Sequence, residues 1–87
     1  MLNVTDPARD RLLQKLAHRK AKDDQALRFT RLPSGWRLDP DQARPDDTTF
    51  THGGRNVLLL DAATAKALSD KTLDVKDTAA GVRLTLR

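Results

Sequence analysis

Histidine, cysteine, serine and adjacent aspartates are the residues that decide what chemistry this chain can perform. The sequence has no cysteine, which excludes a disulfide framework, a thiolate nucleophile, a cysteine zinc site and an all-cysteine iron–sulfur site. His18 and His52 are the only histidines, and neither has a partner at metal-ligand spacing. A site built from His52 and the Asp46–Asp47 pair is an alternative that the spacing does not require. The sequence therefore predicts no metal site.

Catalytic patterns are also missing. Ser34 precedes a glycine but lacks the G-x-S-x-G context of a nucleophile, and no histidine is placed to activate it. The carboxylates of Asp23–Asp24 and Asp46–Asp47 are adjacent, point apart and fall in predicted loops, where they act as solvating charges. Gly53–Gly54 fits a hairpin turn and no phosphate-binding pattern. We predict that the protein is not an enzyme and has no cofactor.

An arginine-rich segment around the single tryptophan is the most unusual feature of the sequence. Arg28, Arg31, Trp36 and Arg37 lie on one predicted hairpin. A tryptophan beside arginines can stack on a nucleic-acid base or anchor a protein partner. The simpler interpretation is a core tryptophan with arginines that reach out from the sheet edge. Arg31, Ser34, Trp36 and Arg37 are the candidate partner surface.

The net charge of +4 is unevenly distributed, because residues 1–44 carry ten bases and six acids. Lys20 and Lys22 add to this excess at the end of a predicted helix, where positive charge also complements the helix dipole. A basic domain can attract phosphates by releasing counterions, but many small basic proteins are simply soluble. Nucleic-acid binding is therefore the alternative to a protein partner.

The length of 87 residues fits one small domain, which we expect to span residues 1–87. No apolar run approaches the roughly 20 residues of a membrane span, and the first residues lack a signal-peptide core. We expect a cytoplasmic protein with no membrane partner.

The first half of the chain predicts one helix and three strands. Leu2 and Val4 form a short strand, and Thr5 can cap a helix whose apolar residues recur every three or four positions. Residues 26–32 alternate as a strand, Pro33-Ser34-Gly35 makes a turn, and Trp36 resumes the alternation. The two prolines of Asp39–Asp47 predict an exposed loop. The residues predicted on the apolar helix face are Ala8, Leu12, Leu13, Leu16 and Ala17.

The second half predicts a hairpin, a short helix and another hairpin. Residues 48–52 and the apolar residues 57–60 form strands around a glycine turn, the latter at the centre of the sheet. Asp61 can cap a helix over residues 62–68. Residues 73–75 and 82–86 alternate again. The order β-α-β-β-β-β-α-β-β indicates an α+β domain with a mixed or antiparallel sheet, and open strand edges in so small a domain allow a homodimer.

This order of elements, together with several short motifs, resembles the HesB-like family, which comprises the A-type iron–sulfur carriers and their relatives. The resemblance extends over nearly the whole chain and implies their small α+β fold. The matching segments are Leu2–Thr5, Ala8–Leu16, Ala26–Phe29, Ser34–Trp36, Asp46–Phe50, Gly54–Asp61, Leu73–Val75 and Gly81–Leu84.

The resemblance stops at the cluster ligands. The family's carriers use one cysteine in a Gly-Gly-Cys-Ser-Gly loop and two in a C-terminal Cys-Gly-Cys tail. Here the loop is shorter, Pro33 stands at the place of the loop cysteine, and Arg87 is the last residue. Proline has no donor atom that could replace a thiolate. We expect a non-enzymatic HesB-like module with a protein-interaction or structural role, which binds no cluster, has an unknown protein partner and is related by ancestry to iron–sulfur cluster assembly.

Overall fold

The computed structural model describes all 87 residues and contains two helices and seven strands. Their order along the chain is the predicted β-α-β-β-β-β-α-β-β. The predicted α+β class is therefore confirmed. The elements are β1 Asn3–Val4, α1 Asp6–His18, β2 Gln25–Leu32, β3 Gly35–Gln42, β4 Thr48–His52, β5 Arg55–Leu60, α2 Ala62–Ala67, β6 Thr72–Thr78 and β7 Gly81–Leu86.

The strands form two sheets. One has the order β3-β2-β5-β4 and the other the order β1-β6-β7. Parallel pairing joins β2 to β5 and β1 to β6, and the remaining pairs are antiparallel. The predicted mixed pairing is confirmed, whereas the division into two sheets was not predicted. Neither helix has the length and apolar character needed to cross a membrane.

Three hairpins each turn through two residues. They connect β2 to β3 at Pro33–Ser34, β4 to β5 at Gly53–Gly54, and β6 to β7 at Ala79–Ala80. Gly53 and Gly54 have φ angles of 62° and 80°, the left-handed conformation that a type I′ turn requires at both central positions. These short turns fix the register of the strands that follow.

The core lies between α1 and the two sheets. Ala8, Leu12 and Leu16 of α1 are fully buried, as are all four residues 57–60 of β5. The prediction that this strand is central is confirmed, because β5 has a neighbour on each side. Each fully buried leucine contributes roughly 1.5 to 3 kcal/mol relative to an exposed one.

Hydrogen bonds fix both ends of α1. Thr5 Oγ1 accepts a hydrogen bond of 3.2 Å from the Ala8 amide, which confirms the predicted cap. At the other end the amides of Lys20 and Ala21 donate to the carbonyls of Ala17 and Leu16, and Lys20 has a φ of 54°. This is a Schellman motif, which ends the helix just after Ala17. Ala17, predicted on the apolar face, is accordingly exposed.

The predicted loop over Asp39–Asp47 is wrong for its first four residues. β3 continues to Gln42, and Pro40 lies opposite Leu27 of β2. A proline is tolerated there because β3 is an edge strand and needs no outward amide hydrogen. The connection between β3 and β4 is therefore short and covers residues 43–47.

A buried arginine holds this region together. Arg28 Nε donates to Asp41 over 2.7 Å, and its two terminal nitrogens donate to the two oxygens of Asp47 over 3.0 and 2.6 Å. Arg28 is 9% exposed, and the Asp47 side chain is 3% exposed. The prediction that Asp46–Asp47 is a solvating pair is thus wrong for Asp47. Arg28 likewise does not reach out from a sheet edge, because its guanidinium is used inside the fold.

The same contacts set the ionisation of the two carboxylates. Hydrogen bonds from Arg28 hold the pKa of Asp47 and the pKa of Asp41 below the ordinary value, with further bonds from the amides of Arg44 and Gln42 respectively. The pKa of Arg28 is raised, chiefly by its hydrogen bond to Asp47. The network therefore requires both carboxylates to be charged.

Substitution Asp47→Ala is expected to lower the free energy of unfolding by about 2 kcal/mol, because it leaves a buried guanidinium with only one of its carboxylates. For a domain of this size the melting temperature should fall by on the order of 10 °C, measured by circular dichroism. Asp46→Ala is the matched control, since Asp46 is exposed and has no ion pair and should stay within about 0.5 kcal/mol of the parent.

The effect of Asp47→Ala should depend on pH. Because the folded-state pKa of Asp47 is depressed, its contribution is fully present above the ordinary carboxyl pKa of 3.8 and is lost as the pH falls through the lowered folded-state value. The difference between parent and variant should therefore be constant from neutral pH to about pH 5 and shrink below pH 4. A difference that grows on acidification would contradict the network.

Candidate functional site

A cleft of about 620 Å³ opens between the β2–β3 hairpin and the β6–β7 hairpin, beside α1. Most of its lining is apolar, and its polar residues are all basic. The apolar residues are Phe29, Trp36, Leu38, Leu73, Ala80, Val82, Leu84 and Leu86, and the basic ones are Arg11, Lys15 and Arg83.

The alternation of side chains along the strands creates the apolar walls of this cleft. Phe29 lies opposite Leu38, and the next pair on the same face is Arg31 and Trp36. On the other sheet Leu84 and Leu86 lie opposite Val75 and Leu73. Each hairpin thus presents one apolar face, and residues of both faces line the cleft.

Trp36 forms one wall of the cleft. Its ring lies 4.9 Å from the ring of Phe29 at a tilt of 56°, and the guanidinium of Arg31 lies 5.7 Å from its centroid. The side chain is half-buried and packs against the core. Trp36 is therefore both a packing residue and a contact surface, with a cation over its face.

Four cations around the cleft have no carboxylate partner. Arg11, Lys15, Arg31 and Arg83 form no ion pair, whereas Arg19, Arg28, Arg37, Arg44 and Arg87 all do. Arg11 Nε is buried and has no hydrogen-bond partner. The guanidinium of Arg11 makes a single hydrogen bond, a long one of 3.3 Å from Nη1 to Gln14 Oε1.

The pKa of Lys15 is affected by the same cluster of positive charges. Burial lowers the pKa of its ammonium, and the nearby guanidinium groups of Arg11, Arg19 and Arg83 lower it further. The cleft is therefore an apolar surface with an uncompensated positive rim, which an anionic group would stabilise.

The four residues of the predicted partner surface separate into two sets. Arg31 and Trp36 lie together at the cleft, as described. Ser34 is exposed in the β2–β3 turn. Arg37 lies on the opposite face of β3, where its Nε is 2.6 Å from Asp39. The sequence pattern thus identified the hairpin but placed both faces in one surface.

The histidine alternative finds no geometric support. His52 Nε2 lies 2.5 Å from Asp10 on α1, whereas Asp47 is bound to Arg28. No group of three or more histidine, cysteine, aspartate or glutamate side chains is arranged to hold a metal ion. His52 and Asp10 form a surface contact between α1 and the end of β4.

The donor set does not fit an iron–sulfur cluster. The chain supplies no thiolate, and the β2–β3 turn at Pro33–Ser34 offers one hydroxyl and a proline ring. Iron–sulfur clusters are held by soft thiolate ligands, which these groups do not replace.

The fold nevertheless matches that of iron–sulfur assembly proteins, which confirms the HesB-like, A-type carrier fold predicted from the sequence. The Escherichia coli protein SufA, described as involved in biosynthesis of iron–sulfur clusters, superimposes with a TM-score of 0.76 at 17% identity, over 99% of this chain and 83% of SufA. IscA with its [2Fe-2S] cluster gives a TM-score of 0.66 at 17% identity, over 100% of this chain and 84% of IscA.

A third similar structure, a protein from Aquifex aeolicus solved by NMR, gives a TM-score of 0.63 at 23% identity, over 99% of this chain and 89% of that one. No family model matches the sequence, and no curated protein matches it either. The likeness at these identities establishes the fold and leaves the activity to be argued from the residues.

Sequence reasoning missed the basic rim because its members are far apart in the chain. Arg11 and Lys15 are four residues apart on α1 and so share a face of the helix. That spacing was a usable signal. Their approach to Arg83 depends on how α1 packs against β7, which no local pattern reveals.

Quenching of Trp36 fluorescence should reveal the charge of the cleft. Because Trp36 is the single tryptophan and unpaired cations surround it, iodide should quench it several-fold more strongly than caesium at a constant ionic strength of about 0.1 M. N-acetyltryptophanamide gives the uncharged reference ratio. Arg31→Gln should move the ratio toward that reference, and a parent ratio equal to the reference would show that the cleft carries no positive potential.

Proposed function

We propose that this chain is a non-enzymatic protein-interaction module of the HesB-like fold, and that its cleft receives an apolar, negatively charged segment of a protein partner. The observation that carries this proposal is the combination in one cleft of apolar walls with three unpaired cations, and a fourth, Arg31, over the ring of Trp36. Arg31 and Trp36 are the proposed contact residues, and Ser34 and Arg37 lie outside the contact.

The properties of the walls favour binding over catalysis. A catalytic site needs a nucleophile, acid or base within reach of an activating group. The cleft residues are leucine, valine, alanine, phenylalanine and tryptophan with arginine and lysine, which together offer no such pair. A half-buried tryptophan beside arginines is instead typical of the residues that dominate binding energy at protein interfaces.

The module acts without carrying a cluster in this proposal, although its fold is that of SufA and IscA. Support comes from the missing thiolates and from Pro33 in the turn where the resemblance places a cysteine. A scaffold can keep its shape and a contact surface after the groups that performed its chemistry are lost. The relation to iron–sulfur cluster assembly is then one of descent.

Anaerobic reconstitution tests the cluster-free part of the proposal. Incubation of the purified chain with ferrous iron and sulfide, followed by desalting, should leave no visible absorbance band and less than about 0.1 iron per chain, because thiolate ligands are missing. A cysteine-containing A-type carrier treated in parallel is the positive control. Stoichiometric iron and sulfide with a cluster spectrum in this chain would contradict the proposal.

Nucleic-acid binding is the second candidate, and one observation favours it. Unpaired cations beside an accessible tryptophan ring also match sites that stack bases and neutralise phosphates. The cleft, however, places aliphatic residues such as Val82, Leu84 and Leu86 where a backbone of phosphates would need polar contacts. The protein partner therefore accounts for more of the surface.

Affinity capture from native lysate should depend on the cleft face of the hairpin. Trp36→Ala and Arg31→Gln are expected to lose a specific protein that the parent retains after nuclease treatment, because they remove the ring and the cation that covers it. Arg37→Gln is the matched control, since it removes an arginine from the opposite face of the same hairpin and should retain the partner. Mass spectrometry identifies and quantifies the captured protein.

The salt response separates the two candidates. A protein contact with apolar walls should survive moderate salt and nuclease, whereas phosphate-driven binding falls steeply as salt rises. Capture that disappears with nuclease would support the nucleic-acid candidate. Capture that is equal for the parent and both cleft variants would show that the cleft is not the contact surface.

A further inference from the structure

The two sheets expose four strand edges, and three of them are protected. Unpaired edges attract further strands, so proteins usually shorten, interrupt or cover them. The edges are β1, β3, β4 and β7. β1 has only two residues, which leaves little backbone to pair.

The edges of β3 and β4 are blocked by specific side chains. On β3, Pro40 lacks an amide hydrogen, and Arg19 donates to the carbonyl of Leu38 over 3.3 Å. On β4 the pairing is irregular between Phe50 and Thr51, and Arg9 donates to the Thr51 carbonyl over 2.6 Å. Both strands therefore have part of their outward hydrogen-bonding groups removed or occupied.

β7 has none of these protections. It spans six residues without proline or irregular pairing, and no side chain bonds to an outward group of its backbone. Arg87 and Thr72 exchange both of their backbone hydrogen bonds. Along an antiparallel ladder, residues that bond to the neighbouring strand alternate with residues whose amide and carbonyl groups point away from it. The amide and carbonyl groups of Val82, Leu84 and Leu86 therefore face the open edge.

The same three residues line the cleft with their side chains. A strand placed beside β7 would therefore meet free backbone groups along its length and apolar walls with alternate side chains. Val82 is 42% exposed, unusually so for a large apolar residue of this chain. The edge and the cleft are two parts of one surface.

From this geometry we propose that the partner binds as an extended, acidic segment that adds a fourth strand to the β1-β6-β7 sheet along β7. This inference rests on the proposed function and specifies its geometry. The segment is about five residues long, since three outward positions on β7 span roughly 13 to 17 Å at 3.3 Å per residue. Every second side chain of its middle is apolar and enters the cleft, and carboxylates at the ends of the segment reach the cations of the rim.

Charge favours such a segment over a second copy of this chain. Pairing of β7 with β7 of another copy would bring two positive rims together, on chains that each carry a net charge of +4. An acidic segment instead supplies the carboxylates that the four rim cations lack. We therefore expect the free protein to be monomeric at this edge.

The test uses a capped nine-residue peptide with valine or leucine at every second position of its middle and aspartates at both ends, added to ¹⁵N-labelled protein. Amide exchange should slow at Val82, Leu84 and Leu86, which gain partners, and stay unchanged at Arg83 and Thr85, which already bond to β6. This alternation is specific for strand addition, because a segment that only occupied the cleft would not protect every second amide.

Two control peptides and a pair of variants complete the experiment. Lysine in place of aspartate, or N-methylation of the peptide amides that face β7, should abolish binding measured by fluorescence anisotropy. Val82→Pro removes the outward amide hydrogen of residue 82 but breaks no hydrogen bond to β6. It should weaken binding roughly tenfold. The matched Val82→Ala keeps that amide and loses only side-chain contact, so it should weaken binding clearly less than Val82→Pro does. Melting curves establish that both variants fold.

Three results would overturn the inference. They are equal binding of the N-methylated peptide, absence of alternating protection with the acidic peptide, and protection of the outward amides in the free protein together with dimer formation. Binding of a single-stranded oligonucleotide in place of the peptide would likewise overturn it. If capture from lysate depends on Trp36 while β7 gains no protection, the proposed function stands and strand addition is wrong.

Discussion

The contact between Arg28 and its two aspartates determines the shape of the larger sheet. It ties β2 to the far end of β3 and to the residues that lead into β4. Arg28 lies on one face of β2, and its neighbour Phe29 points to the other, where it supports Trp36. The polar network and the cleft are therefore opposite faces of the same strand pair, so the position of the cleft wall depends on an ion pair that never touches it.

Much of the fold could be predicted because its signals are local. The Thr5 and Asp61 caps, the glycine turn and the apolar residues 57–60 each depend on residues a few positions apart. The strand character of Asp39–Gln42 could not be predicted, because two prolines nearby indicate a loop and the compensating partner, Arg28, is more than ten residues away. The rim of the cleft escaped prediction for the same reason, since Lys15 and Arg83 meet only through packing.

The turn between β2 and β3 fixes the position of the cleft residues with very little chain. Two residues, Pro33 and Ser34, suffice to reverse the chain and keep Arg31 opposite Trp36. A short, stiff turn confines the strands to one register, whereas a longer loop that must wrap a cluster needs conformational freedom. The turn thus holds Arg31 beside Trp36 at the cleft.

Pairing of β1 with β6 limits how early the chain can complete its fold. Thr5 bonds to Asp74, 69 positions away, and α1 packs against both β6 and β7. Closing so long a loop costs entropy before any contact repays it, and folds rich in distant pairings form slowly. On the ribosome, α1 can pack against β2, β4 and β5 as these strands emerge, but its contacts with β6 and β7 must wait for residues 72–86. The part of its apolar face that these last strands cover therefore stays available to chaperones until the end of the domain is made.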